Sequence, residues 1–322
     1  MDIVIATATD PYYNLAVENY LFQNVLRNTP ILYLWQNTPC VVIGRAQNPW
    51  RECHIEALNA DKVPIVRRQS GGGTVYHDLG NLNYTILSPA RQYDKKRNLQ
   101  LIIEVLSTLG IRAFASAHHD ILIKHDAHTY KISGSAFRET RDRKFHHGTL
   151  LIDADTEKLY RYLHHKTDEH LKIKGVKSRR AKVMNLSALY PNVTVKALLA
   201  AFCQQLNRTP VYLSLNLDRE KSLQREIERL KSHEWRFGKT LPFERMIEIG
   251  EDQFIFHIKN GRIEDLNAPE NYNDLKKWIQ THRPIYHQDG LKAFDQLHKS
   301  PHIQQVIERF EKSTPLIMED FP

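Results

Sequence analysis

The stretch RRQSGGGTVYHDLGNLNY, residues Arg67 to Tyr84, decides how the rest of the chain is read. Its three consecutive glycines, Gly71 to Gly73, follow a β-rich run, Val63 to Val66. Each glycine costs about 1 kcal/mol of backbone entropy relative to alanine, so a triplet marks a place where the backbone takes φ > 0 or approaches something closely. A phosphate suits such a loop, but the Lys-Ser/Thr pair of a Walker A loop and the G-x-G-x-x-G dinucleotide fingerprint are both missing. The competing reading is a plain glycine-rich hairpin turn, which the flanking Arg68, His77 and Asp78 weigh against. Ser70, His77 and Asp78 include triad residue types. Proximity in sequence does not make a triad, and a nucleophilic serine is not expected.

Working outward, short β-rich runs recur between Ile31 and Gly134: Ile31 to Trp35, Val41 to Gly44, Val63 to Val66, Asn83 to Leu87 and Ile121 to Ile123. They predict the sheet core. Helices punctuate it, with Leu15, Phe22, Val25 and Leu26 on one face and Leu99, Ile102, Ile103 and Leu106 on another, the latter stopped at Gly110. A further helix starts at the N-cap Thr194 and carries Val195, Leu198, Leu199, Phe202 and Leu206. The class is mixed α/β. After about Phe243 the pattern restarts. Phe254, Phe256 and Ile258 alternate before the hairpin signal Asn260-Gly261, and a helix after Pro301 carries Ile303, Val306, Ile307 and Phe310. A catalytic unit over 1–245 and a small α+β unit over 246–322 are therefore expected. The mixed charges of Asp218 to His233 between them predict a solvated helix.

A second informative segment is KISGSAFRETRDRKFHHGTLL, Lys131 to Leu151. On a strand, Lys131 points away from the face that Ile132 packs against, and a fixed ammonium there suits a phosphoanhydride transition state. The bland alternative is a solvated edge lysine. His146 and His147 are adjacent and so point to opposite strand faces, which argues against a shared metal ion.

The 322 residues carry 45 Lys+Arg, 37 Asp+Glu and a net charge of +8, which admits nucleic acid, nucleotides or acidic proteins as partners. No nucleic-acid recognition motif accompanies basic stretches such as Lys172 to Lys182, so nucleic acid is not expected. Cys40, Cys53 and Cys203 have no ligand-like spacing, which excludes a disulfide framework and a cysteine zinc site and fits a reducing compartment. No leader peptide or membrane span is read, and a cytoplasmic location is expected.

Four blocks, DPYYNLAVEN from Asp10, VVIGRAQNPWREC from Val41, RRQSGGGTVYHDLGN from Arg67 and the Lys131 segment, resemble the lipoate-protein ligase A family. Weaker similarity runs through KGVKSRRAKVMNL from Lys174 and HEWRFG from His233, and the tail matches mainly in position and size. The resemblance implies the biotin/lipoate ligase fold, related to class II aminoacyl-tRNA synthetases, with a small C-terminal accessory domain. It also implies a monomer that activates lipoate with Mg²⁺ and ATP to lipoyl-AMP. The acceptors would be lysines on lipoyl domains of 2-oxoacid dehydrogenases and the H protein of glycine cleavage.

By the same resemblance Arg68, Gly73, Thr74, Val75, Tyr76 and Lys131 are ATP-binding positions. Ser70, Gly71, Gly72, His77, Lys131 and Arg138 line the lipoate site, with Gly44 and Gln47 near it, and Asp120 lies close to Mg-ATP. Thr74 stands where the family has Ala, and His119 where it has Asn. The rival within the fold is a lipoyl or octanoyl transferase using a preactivated donor; octanoyl transferases of this type need a catalytic cysteine, and all three cysteines lie outside the glycine-rich and Lys131 blocks.

Overall fold

The computed structural model describes residues 1–163, 168–175, 177–178, 181–213, 221–297 and 300–314. Its largest sheet has six strands in the order Ser135–Glu139, Arg143–Leu151, Asn81–Pro89, Ile31–Trp35, Asp2–Ala6 and Val211–Leu213. The last three run parallel to one another and the other pairings are antiparallel. Asn81–Pro89 is buried along its whole length because both faces of this sheet are covered. The helix Lys95–Thr108 and the helix Val195–Leu206, capped by the Thr194 side chain, pack over one face through Leu99, Ile102, Leu198 and Phe202.

The β-rich runs expected to form one sheet core divide among three sheets. Ile65–Arg67, Cys40–Ile43 and Val75–His77 form a separate three-stranded sheet, and Ala113–Ala115, Ile121–His125 and His128–Ser133 another. The reason is local. The chain turns sharply at 36–39 and again through the glycines, so Val41 pairs with Ile65 and Tyr76 rather than with its sequence neighbour Tyr33.

The C-terminal hairpin Asp252–Lys259 and Arg262–Asn267 forms as expected, with Asn260 and Gly261 both at positive φ, 53° and 70°. Its sheet also contains Phe243–Ile249 and, from the N-terminal region, Leu171–Ile173. The boundary expected at 245/246 falls inside the strand Phe243–Ile249, and one apolar core spans it. Trp50 stands 5.3 Å from Phe243 and 4.9 Å from Tyr286, ring to ring.

Two helix readings need correction. Val25 does not share the buried face of Leu15 and Phe22, being 43% exposed, because the helix Pro11–Tyr20 relaxes into a π turn at Leu21–Val25 and rotates it outward. The helix Lys221–Lys231 is not merely solvated. Leu223 and Leu230 are fully buried in the core formed with Leu15 and Phe22, and only its other faces carry charge. The start of that charged stretch, Asp218, lies outside the described residues.

Arg67 knits these parts together. Its buried guanidinium donates to the carbonyls of Gly44, Arg45 and Gln47 at 2.8–3.2 Å, to Arg236 O at 2.8 Å and to Thr240 Oγ1 at 2.9 Å. Burial lowers its pKa to about 9, so it remains charged at neutral pH. Arg67→Met is expected to cost about 3–5 kcal/mol, because the buried Gln47 and Arg236 carbonyls and the part-buried Arg45 carbonyl lose their donor at once, while Gly44 O keeps only the Gln47 N–H. Urea unfolding measures this; a loss under 1 kcal/mol would contradict it.

Candidate functional site

A cavity of about 430 Å³ opens beside the glycine loop. Its floor is one face of the large sheet. Trp35, Asn83 and Thr149 are directly paired across three strands, so they share a face, and all three line the cavity. The next row on that face is Tyr33, Thr85 and His147. His147 Nδ1 lies 2.8 Å from Glu18 Oε1 and Nε2 lies 2.7 Å from Ser70 Oγ, while Glu18 also accepts from Thr85 Oγ1 at 2.7 Å. His146 turns to the other face and meets Ser135 Oγ at 2.9 Å, as strand alternation requires.

The glycine loop arches over this floor. Gly72 has φ +86°, and a Cβ at Gly44 would stand 2.4 Å from Gly72 O, so both positions need glycine. Arg68 shapes the arch from within. Its guanidinium donates to Val42 O at 3.1 Å, to Gly71 O and Gly73 O at 2.6 Å each, and to Ser70 Oγ at 2.9 Å. Burial lowers its pKa to about 10, leaving a cation beneath the loop.

Ser178 closes the loop's far side. Its hydroxyl accepts from Thr74 N–H at 2.9 Å and from Gln47 Nε2 at 3.0 Å, while Gln47 Oε1 takes Thr74 Oγ1 at 2.9 Å and Gly44 N–H at 2.9 Å. The hydroxyl of Thr74, where the resembled family has Ala, is thus used in fixing Gln47. Val176, Arg179 and Arg180, within the basic stretch Lys172 to Lys182, lie outside the described residues.

Lys131 enters from the strand His128–Ser133, whose Ile132 is fully buried on the opposite face. Its ammonium lies 2.8 Å from Asp120 Oδ1, and both side chains are 25% exposed at the cavity mouth. The backbone around it is held by Lys182 O, 2.8 Å from Lys131 N, and by Met184 N–H, 3.2 Å from Lys131 O. Asp120 is the one carboxylate in the described cavity lining.

Of the residues expected at the site, Arg68, Gly72, Gly73, Thr74, Val75, His77, Asp120 and Lys131 line one cavity. Ser70 reaches it through His147. Gly71 lies on the loop's outer side. The ring of Tyr76 turns away into the core beside Tyr162, 5.5 Å off, so only its backbone faces the loop. Arg138 is outside the lining: it donates to Asn19 Oδ1 at 2.8 Å and covers the Phe22 ring at 4.8 Å. Sequence reasoning missed Glu18, Trp35, Asn83, His147 and Ser178.

His77 and His146 are held neutral, chiefly by burial and next by neighbouring positive charge, with pKa values lowered to about 3. An unfolded histidine takes its proton below about pH 6.5, whereas these two do so only near pH 3, so the unfolded chain binds more protons between those limits. Stability therefore falls as pH drops through 6.5. Between pH 7 and pH 5 the two sites together are expected to remove about 4 kcal/mol. Urea unfolding at both pH values measures the loss, and His146→Gln should halve it.

The model of the Lipoyl protein ligase A/B catalytic domain matches residues 10–207. The lipoate-protein ligase A of Bdellovibrio bacteriovorus is 38% identical over 277 residues, covering 83% of this chain and 81% of that protein. Among solved structures, the lipoate complex of P. falciparum LipL1 superposes with a TM-score of 0.65 at 26% identity, covering 97% of this chain and 98% of that one. A lipoate-protein ligase A bound with ATP gives a TM-score of 0.58 at 21% identity, covering 74% of this chain and 100% of that one.

Proposed function

This chain belongs to the lipoyl protein ligase A/B catalytic-domain family, and we propose that it is an ATP-dependent lipoate-protein ligase that makes its own lipoyl-AMP and passes the lipoyl group to a lysine of a lipoyl domain. The observation that carries this reading is that the glycine loop and Lys131 meet at the mouth of one cavity whose floor is closed by Trp35 and Asn83. The ligands named for the P. falciparum structure and the ATP-bound relative agree with an acid and a nucleotide as substrates.

In the first half-reaction the lipoate carboxylate attacks the α-phosphorus of ATP and pyrophosphate leaves. Lys131 leaves Asp120 to neutralise the non-bridging oxygens, and Thr74 N–H exchanges Ser178 Oγ for a phosphate oxygen. Arg68 works indirectly, by fixing the loop and adding positive potential. In the second half-reaction an acceptor amine, having lost its proton, attacks the anhydride carbonyl, forms the amide and expels AMP, while Lys131 polarises that carbonyl. Asp120 suits a Mg²⁺ held mainly by substrate phosphates, which would supply charge neutralisation at the departing pyrophosphate. The acceptors would be lipoyl domains of 2-oxoacid dehydrogenase complexes and the H protein of glycine cleavage.

The cysteine-dependent transferase alternative is disfavoured by the thiols themselves. Burial raises the pKa of Cys40 and Cys53 far above the ordinary thiol value, and neither lines the cavity. Among the described residues no helix is long and apolar enough to cross a membrane.

Mass spectrometry of an acceptor domain incubated with enzyme, ATP and lipoate tests the reading; no mass gain of one lipoyl group would reject it. The net charge of +8 further predicts that the transfer rate to an acidic lipoyl domain falls as salt shrinks the Debye length below about 8 Å, while adenylation changes less. Equal salt sensitivity of the two steps would remove the electrostatic contribution to docking.

A further inference from the structure

Two hydrogen-bonding groups in the cavity wall have no partner among the described residues: His77 Nε2 and Asn83 Nδ2, both buried. Native interiors rarely leave such groups unpaired, and each unpaired donor penalises any occupant that offers it nothing. The polarity of the histidine is fixed by its surroundings. Asn14 Nδ2 must donate, since it reaches Ala8 O at 3.1 Å and Gln36 O at 2.8 Å, and it also reaches Asn37 Oδ1 at 3.1 Å. Asn37 therefore presents Nδ2 to His77 Nδ1, 3.2 Å away. With Nδ1 accepting and the ring neutral, the proton sits on Nε2. Asn83 Oδ1 takes Asn81 Nδ2 at 3.0 Å, which leaves the Asn83 amide N–H₂ free, while Asn81 Oδ1 is also without a partner among the described residues.

Position in the cavity says which part of a substrate these donors meet. Lys131, Asp120 and His118 stand at the mouth, where the carboxylate must lie to reach a nucleotide. Trp35, His77 and Asn83 are each less than 5% exposed. Asn83 is one strand pairing away from Thr149, whose Oγ1 accepts from Gly134 N–H beside Lys131. The acyl chain thus runs inward from Lys131 and brings its far end to His77 and Asn83.

Resting on the ligase reading above, we propose that His77 Nε2–H and Asn83 Nδ2–H form a donor pair that reads a hydrogen-bond acceptor at the distal end of the acyl group, so that the enzyme selects a sulfur-bearing acid over a plain alkyl acid of equal length. Asn37 and Asn14 act as positioning residues that fix the histidine tautomer. An alkyl tail must bury both donors unpaired, whereas the dithiolane sulfurs of lipoate are weak acceptors.

Calorimetry of the full chain with lipoate and with octanoate, without ATP, tests the pair directly. The wild type should bind lipoate about tenfold more tightly, and Asn83→Leu should lower that preference about tenfold, mostly by improving octanoate. Equal weakening of both acids by Asn83→Leu would place the donors on the shared carboxylate and overturn the proposal, as would an unchanged preference. Independently of any variant, ¹⁵N NMR of the wild type should show His77 protonated at Nε2 and bare at Nδ1; the opposite tautomer also overturns it. Because neither measurement requires adenylation, both can fail while the ligase reading stands, and loss of pyrophosphate release would reject that reading alone.

Discussion

Lys131→Ala is expected to abolish both adenylation of lipoate and transfer from supplied lipoyl-AMP. The ammonium sits at the cavity mouth, 2.8 Å from Asp120, on a strand whose backbone is pinned by Lys182 and Met184. Removing a preorganised charge from such a site costs about 3 kcal/mol, on the order of a hundredfold in rate or more, and here the same cation serves two transition states. The deletion also leaves the Asp120 carboxylate without its cation, which repels incoming phosphates and deepens the loss in the first step. The chain should stay folded, because losing a partly buried side chain at the cavity mouth costs on the order of 1 kcal/mol, a small part of a domain's stability. Near-normal adenylation in the variant would reduce Lys131 to a surface lysine.

The second large effect is expected at Gly44. An added methyl would lie 2.4 Å from Gly72 O, and neither side yields easily. Gly44 O is held by Arg67 at 3.2 Å, and Gly72 is held at positive φ within an arch that Arg68 braces through Gly71 and Gly73. Gly44→Ala should therefore push the loop off the nucleotide position. A displacement near 1 Å at a reacting centre costs about a hundredfold in rate, accompanied by about 1–3 kcal/mol of overpacking destabilisation. Steady-state kinetics with varied ATP, beside a urea unfolding curve, separate the two: KM for ATP should rise while the chain stays folded at 25 °C. Unchanged KM in a folded variant would make this loop an ordinary turn.

How much of this was legible beforehand depended on whether a residue's role is local. The glycine triplet, Arg68 and Lys131 announce themselves because backbone freedom and an isolated cation on a strand are visible within a few residues. The Asn260-Gly261 hairpin is legible for the same reason, being a turn whose two positive φ values the sequence must accommodate on the spot. Glu18, Asn83 and His147 were not, since nothing within a few residues of each shows what it faces until strand register sets Asn83 between Trp35 and Thr149 and brings His147, 129 positions away, against Glu18. Arg138 illustrates the converse. The resemblance sets it in the acid site, yet Asn19 and the Phe22 ring hold it outside the cavity lining. The core shared by Trp50 and Tyr286 is equally hidden, because a contact across more than two hundred residues leaves no periodic trace.

A ligase of this kind makes its own activated acid, where a transferase must be given one. Isotope exchange between labelled pyrophosphate and ATP measures that step alone, without an acceptor protein. Exchange should require lipoate, proceed with the wild type and be lost in Lys131→Ala. Transfer from supplied lipoyl-AMP with no lipoate-dependent exchange would contradict the ligase reading and leave a transferase that depends on another source of activated acid.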